Sequence, residues 1–267
     1  EVFNSIPPAN AYWQSLFFLT LPDNLFTARM ASATAGLIAI LAIYLLGVRM
    51  FNCNATGLLA AALYSMSRLF FFPATSTRPD MLCGMLGLLA LLTMWNWANK
   101  RQTKQLIQTG VLLGIAMLTH FYALVFCIQI AIWTVISSQG KSQKARNLAI
   151  LVGSSLLIFA LWIPLILTNT DVSITQIQNN VFNRAGPGLL SRLIWPWESL
   201  SHHCQLLVEQ AQLPQLFLML IGILAVAQSA ITHYHRSTAT LAALTLSGMY
   251  LLSTISGVHP ANGYWCY

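Results

Sequence analysis

Charge is the scarcest thing in this sequence. Of 267 residues only 7% are charged, and the acids number six: Glu1, Asp23, Asp80, Asp171, Glu198 and Glu209. Ordinary soluble domains are about one quarter charged, so a chain this long cannot cover a water-facing surface with so few. Motifs are missing as well. There is no Gly-x-x-x-x-Gly-Lys loop, which leaves a nucleotide-driven machine unsupported, and no Gly-x-Ser-x-Gly elbow for a nucleophilic serine. No His-Glu-x-x-His pattern marks a zinc site. The five cysteines (Cys53, Cys83, Cys127, Cys204 and Cys266) lack both metal-ligand spacing and the arrangement of a disulfide framework. The first three sit in or beside apolar runs, where cysteine serves as a small hydrophobe. No internal or inverted repeat of the kind that marks many secondary transporters is apparent.

What is present is hydrocarbon. Hydrophobic residues make up 57% of the chain, gathered in runs of the length that crosses a bilayer core about 30 Å thick. Residues 1–28 are mixed, with Pro7-Pro8 and Pro22-Asp23, and are expected to form the end of a loop and a short amphipathic helix. Spans are expected over Ala31–Val48, Gly57–Phe72, Met81–Trp97, Leu148–Leu167, Leu216–Ile231 and Ala239–Ile255. Ile107–Ile136 is too long for one ordinary crossing and too short for two full ones. It is expected to be a hairpin of two short helices, broken near Thr119-His120 where polar residues interrupt the run. Short membrane helices of this sort are tolerated when they pack inside protein. The chain begins at Glu1 and stops just after an apolar run, and truncation at both ends is expected.

The net charge of +7 points to membrane topology rather than to nucleic acid. With the N-terminal segment outside, alternation of the spans puts Arg49, Lys100, Arg101, Lys104, Lys141, Lys144, Arg146 and Arg236 inside. Those are eight of the thirteen basic residues, while all six acids fall outside. This is a positive-inside pattern. It also supports the hairpin, because a single crossing over 107–136 would move the basic segment at 141–146 outside. The long polar loop, residues 168–213, faces outward on this reading, and outer loops are where a site has room to form.

The expected fold is therefore all-α, a polytopic transmembrane bundle with outer loops and short amphipathic helices. Candidate site residues lie on the outer side. Asp80 opens a span after Arg78-Pro79, with proline suited to the first turn and the carboxylate favoured by the helix dipole. It is either a helix-start residue or a carboxylate facing an outer cleft that orients an acceptor or a metal, with Arg78 holding a phosphate. Arg68 falls inside an apolar run, where charge is costly; it either snorkels to the outer headgroups or contacts an anionic lipid or pairs with Asp80. His120, at the hairpin break, is either structural or a phosphate or sugar contact. His202-His203 and His259 fall in outer segments, and His233 and His235 flank an inner loop. Arg184 opens the segment Arg184-Ala-Gly-Pro-Gly188, followed by Arg192 and Trp195-Pro-Trp-Glu198. That segment is either an interfacial anchor, given the preference of tryptophan for the membrane surface, or a mobile outer loop with aromatic faces for a sugar and arginine for a phosphate.

The order of features resembles a known family. Pro7-Pro8 precedes a short helix over Ala11–Leu21, and Asp23-Asn-Leu-Phe-Thr-Ala-Arg29 leads into the first span. That span ends Tyr44-Leu-Leu-Gly-Val-Arg49-Met-Phe51. Then come Gly57-Leu-Leu-Ala-Ala-Ala-Leu63, Ser76-Thr-Arg78-Pro-Asp80-Met and Gly110-Val-Leu-Leu-Gly-Ile-Ala-Met-Leu-Thr119-His120. Over roughly residues 5–170 the chain resembles polytopic glycosyltransferases of the GT-C type. Among these it is similar to bacterial relatives of dolichyl-phosphate-mannose–protein mannosyltransferases and of the aminoarabinose transferase that modifies lipid A.

The resemblance implies sugar transfer from a polyprenyl-phosphate donor to a lipid, glycan or protein acceptor on the outer face of the bacterial inner membrane. It implies an acidic residue that deprotonates or orients the acceptor, and basic residues that stabilise the leaving lipid phosphate. Asp80 matches a second acidic position of the family, while the main acidic motif belongs upstream, after a span that precedes residue 5. His120 stands where relatives often carry lysine, and Ile6 where a histidine often precedes the proline pair. Arg78, Arg68, His120 and Arg184 are the candidates for the donor phosphate. A divalent metal is left open, without a metal motif in this segment. The competing readings are a lipid-glycan flippase or transporter, which would bury charge along a central path, and a non-catalytic membrane scaffold.

Overall fold

The computed structural model describes residues 7–168 and 170–178, and beyond them the single positions Trp197, Ser201, Gln205, Phe217, Ile221 and Leu224. Every regular element among the described residues is helical. The spans expected at Leu216–Ile231 and Ala239–Ile255 lie outside the described residues apart from three single positions, as do His202, His203, His233, His235 and His259.

Residues Ile6–Ile163 form one compact unit. It starts with α1 (Ala9–Phe18), the short helix expected before the first span. Helix α2 (Leu25–Phe51) is 27 residues long, about 40 Å at 1.5 Å per residue. Asn24 caps it by accepting from the Thr27 N–H at 3.0 Å, while the Thr27 hydroxyl donates back to the Pro22 carbonyl at 2.6 Å. Asn52, in the left-handed region at φ 49°, ends it. One face of α2 is a row of small residues: Ala31, Ala35 and Ala39 are wholly buried. This narrow face packs on α5 (Asp80–Lys100) in a core that includes Met81, Met85 and Leu86.

The return between α2 and α5 differs from expectation. The run Gly57–Phe72 is not one helix but two, α3 (Asn54–Ser65) and α4 (Arg68–Thr75). The break has a local cause. Ser67 adopts an extended conformation and its hydroxyl accepts from the Phe70 N–H at 3.1 Å, capping a new helix. Arg68 is consequently the first residue of α4 and does not sit inside a continuous span. Helices α2 and α3 approach closely at Gly47 and Gly57. A Cβ on Gly57 would stand 2.7 Å from the Tyr44 carbonyl oxygen.

The run 107–136 is the expected hairpin. Its arms are α6 (Thr103–Met117) and α7 (Ala123–Ser137), each 15 residues or about 22 Å. The turn between them contains Thr119 and His120. Helix α8 (Lys141–Phe159) follows, passing into a 3-10 turn over Ala160–Trp162. Helices α6 and α8 run parallel and meet through Gly110 and Gly114. A Cβ on Gly110 would lie 2.6 Å from the Leu151 carbonyl oxygen, and one on Gly114 would lie 2.6 Å from that of Ser155. Small residues four apart let two membrane helices touch backbone to backbone. Polar contacts also join helices inside the bundle: Thr93 and Thr109 hydroxyls share a hydrogen bond of 2.9 Å, and Asn147 donates to the Ser138 hydroxyl at 2.9 Å.

Among the described residues three helical stretches are long and apolar enough to cross a membrane: Leu25–Phe51, Asp80–Lys100 and Lys141–Thr168. A second unit begins at Pro164. Its described helices are the continuation α9 (Ile163–Thr168) and α10 (Thr170–Ile177). Within it the Ser173 hydroxyl donates to the Ile166 carbonyl at 3.4 Å.

Candidate active site at one end of the bundle

Three of the five candidate residues meet at one point. Pro79 starts α5 and Asp80 occupies its first turn, where the unpaired N–H groups favour a carboxylate. Two residues earlier, Arg78 folds back so that its Nε donates to Asp80 Oδ2 at 2.7 Å. From the α6–α7 turn, His120 brings Nε2 to 3.6 Å from Asp80 Oδ1. That distance exceeds a hydrogen bond, and Oδ1 is buried with no hydrogen-bond partner. The group is half-buried, not sealed: side-chain exposure is 41% for Arg78, 25% for Asp80 and 27% for His120.

The protonation of His120 follows from its neighbours. Its Nδ1 accepts the Tyr122 backbone N–H at 3.1 Å, so the proton of the neutral ring belongs on Nε2, the nitrogen that faces Asp80. Burial lowers the pKa of His120 below its ordinary value. The Asp80 carboxylate works in the opposite direction, and Arg78 adds to the lowering. The Tyr122 ring lies against the imidazole, with centroids 4.4 Å apart.

A contributor invisible to sequence reasoning is α1. Its first N–H, on Ala9, donates to the Leu118 carbonyl at 2.8 Å, two residues before His120. Its Gln14 side chain donates to the Thr77 carbonyl at 3.0 Å, one residue before Arg78. The Trp13 indole N–H fastens the same helix to the Ala31 carbonyl of α2 at 2.8 Å. Helix α1 thus straps together the two turns that carry the site. A glutamine in a mixed helix gives no sequence signal of such a task, because its partner lies on a distant turn.

Arg68 opens α4, as described, and Arg184 lies outside the described residues. Among the described residues no group of three or more His, Cys, Asp or Glu is placed to hold a metal ion.

The opposite end of the bundle is basic. Arg49 Nη1 donates to Asn96 Oδ1 at 2.7 Å, which sets the end of α2 beside the end of α5. Lys100 and Arg101 close α5, Lys104 lies in the first turn of α6, and Lys141, Lys144 and Arg146 lie in the first two turns of α8.

A family model described as dolichyl-phosphate-mannose-protein mannosyltransferase matches residues 5–167. No curated protein and no solved structure matches the chain significantly. The matched stretch takes in α1 through α8, both turns of the Arg78–Asp80–His120 group and the strap across them. The chain belongs to the dolichyl-phosphate-mannose-protein mannosyltransferase family, membrane glycosyltransferases that draw their sugar from a lipid-linked donor.

Proposed function

We propose that this chain transfers a sugar from a polyprenyl-phosphate donor to a lipid, glycan or protein acceptor on the outer face of the bacterial inner membrane, with Asp80 in the active site. The observation that carries the reading is the Arg78–Asp80–His120 group, a carboxylate between a guanidinium and an imidazole at one end of a bundle of this family. A phosphate leaving group needs positive charge as the sugar departs, and an acceptor hydroxyl needs a carboxylate to orient it or take its proton. Arg78 spends Nε on Asp80 and keeps its two Nη groups for the phosphate oxygens of the donor. His120 acts as a positioning residue. With Nδ1 occupied by Tyr122, its Nε2–H faces the unpartnered Asp80 Oδ1 from the other side at 3.6 Å, placed to donate to it on a small approach. Arg68 and Arg184 are further candidates for the donor phosphate. A donor that diffuses within the bilayer brings its own activation energy, in keeping with the lack of a nucleotide loop.

The test is transfer of labelled sugar from polyprenyl-phosphate donors by the full-length protein in membrane vesicles. Asp80→Asn and Arg78→Ala are expected to lose at least tenfold, which corresponds to about 1.4 kcal/mol or more of transition-state stabilisation. Activity in wild type with undiminished activity in both folded variants places the chemistry elsewhere in the protein. No transfer from any donor removes the enzyme reading.

A further inference from the structure

The basic end of the bundle cannot be neutralised by its own helices. Between Asp23 and Asp171 the sequence holds a single acid, Asp80, and Asp80 is at the other end of α5. Seven cations (Arg49, Lys100, Arg101, Lys104, Lys141, Lys144 and Arg146) therefore share the basic end with no carboxylate from residues 24–170. Lys100, Arg101, Lys104, Lys141 and Arg146 are exposed. Their partners are neutral where the structure gives them: Arg49 meets Asn96, and the Arg101 guanidinium lies 4.9 Å above the Trp97 ring.

Three of these cations also stand where a helix least wants them. Lys104 is in the first turn of α6, and Lys141 and Lys144 are in the first turn of α8, against N-terminal N–H groups that carry partial positive charge, with Arg146 following in the second turn. Neither helix has an acid in its first turn or a side chain capping its start. Helices α6 and α8 are parallel neighbours. The pairing of Gly110 with Leu151 and of Gly114 with Ser155 sets their register, and continuing it toward the helix starts makes Lys104 level with Ala145, between Lys144 and Arg146. Two uncapped N-termini and their cations therefore form one face. Cations at a helix start become favourable when an anion binds both the side chains and the free N–H groups.

We propose that this face binds the headgroups of anionic phospholipids from the surrounding bilayer, with Lys104, Lys141 and Arg146 as the principal contacts. The occupant is a lipid, not a soluble anion, because Arg49, Lys100, Lys141, Lys144 and Arg146 stand at or near the ends of helices long and apolar enough to cross a membrane, where an anionic leaflet attracts basic residues. Each basic residue near an anionic surface is worth about 1 kcal/mol, about fivefold in affinity. The inference is independent of the sugar-transfer reading.

The test uses the full-length protein in nanodiscs containing equal phosphatidylglycerol and phosphatidylcholine, with the retained lipid counted by native mass spectrometry after detergent extraction. Preferential retention of phosphatidylglycerol is expected, falling at least tenfold in the Lys104→Gln/Lys141→Gln/Arg146→Gln variant and staying unchanged in Arg29→Gln, a cation at the other end of α2. Folding of each variant is checked by circular dichroism. As a measurement on wild type alone, retention must also weaken as salt rises from 0.05 to about 0.5 M. Equal retention of the two lipids, an unaffected triple variant, or displacement of the lipid by millimolar inorganic phosphate would overturn the proposal.

Discussion

His120 sits in a half-buried place beside a carboxylate and a guanidinium, and the three influences on its proton have known signs. Burial is the largest and lowers its pKa from the ordinary 6.5, Asp80 raises it, and Arg78 lowers it. Asp80→Asn should therefore lower the His120 pKa further, and Arg78→Ala should raise it. Titration of isotope-labelled histidine by NMR in nanodiscs reads both directions. Stability follows by linkage. Below pH 6.5 the unfolded chain takes this proton more readily than the folded one, so the contribution of His120 to stability is present above that pH and fades as pH falls toward the lower native pKa. Melting temperature should decline between pH 7 and 5, and His120→Gln should flatten part of that slope. At this scale the sequence was partly legible. Arg78 and Asp80 stand two apart at a helix start, so their pairing is local, whereas the tautomer of His120 depends on the Tyr122 N–H in a folded turn.

Among the elements, the parallel contact of α6 and α8 depends on the absence of two side chains. Gly110→Ala and Gly114→Ala each set a Cβ 2.6 Å from a carbonyl oxygen of α8. Each should destabilise by about 1–3 kcal/mol, the usual range for overpacking. Gly153→Ala, where a Cβ meets nothing within 4 Å, should instead stabilise by about 0.5–1 kcal/mol through helix propensity. Thermal melting of the three variants in one lipid mixture checks the contrast. Helix α1 offers a different prediction. Gln14→Leu keeps the bulk of the side chain and deletes the donor to Thr77, so transfer should slow about tenfold while melting changes little. Gln14→His, which restores a donor, should recover part of the loss. The α6–α7 hairpin could be foreseen because its apolar run has the wrong length for one helix. The α3–α4 break could not, since Ser67 counts for little in an apolar window and its effect comes from one hydroxyl turned onto the Phe70 N–H.

In the unit Ile6–Ile163 the basic residues gather at one end and Asp80 stands at the other, and Cys53 reports which way this unit points. This thiol is exposed at the start of α3, on the basic end. Hydrogen bonds from the Thr56 side chain and from the backbone of Thr56 and Ala55 lower its pKa, which favours the reactive thiolate. In a variant with Cys204→Ser and Cys266→Ser, a membrane-impermeant maleimide should leave Cys53 unmodified in intact cells and label it after permeabilisation. Labelling of intact cells would turn the molecule over and place Asp80 in the cytoplasm. Polarity of this kind was plain in the sequence, because cations at run ends need no tertiary contact to be counted. The meeting of Asp80 with His120 was not, because it requires α5, α6 and the strap to be in place together. That requirement has a consequence for biosynthesis. During synthesis Asp80 leaves the ribosome well before the turn that carries His120, and Ala9 waits longer still for the Leu118 carbonyl. Until the hairpin of α6 and α7 has inserted, Asp80 stands in the bilayer without His120, and the proposed site is assembled only when that turn arrives.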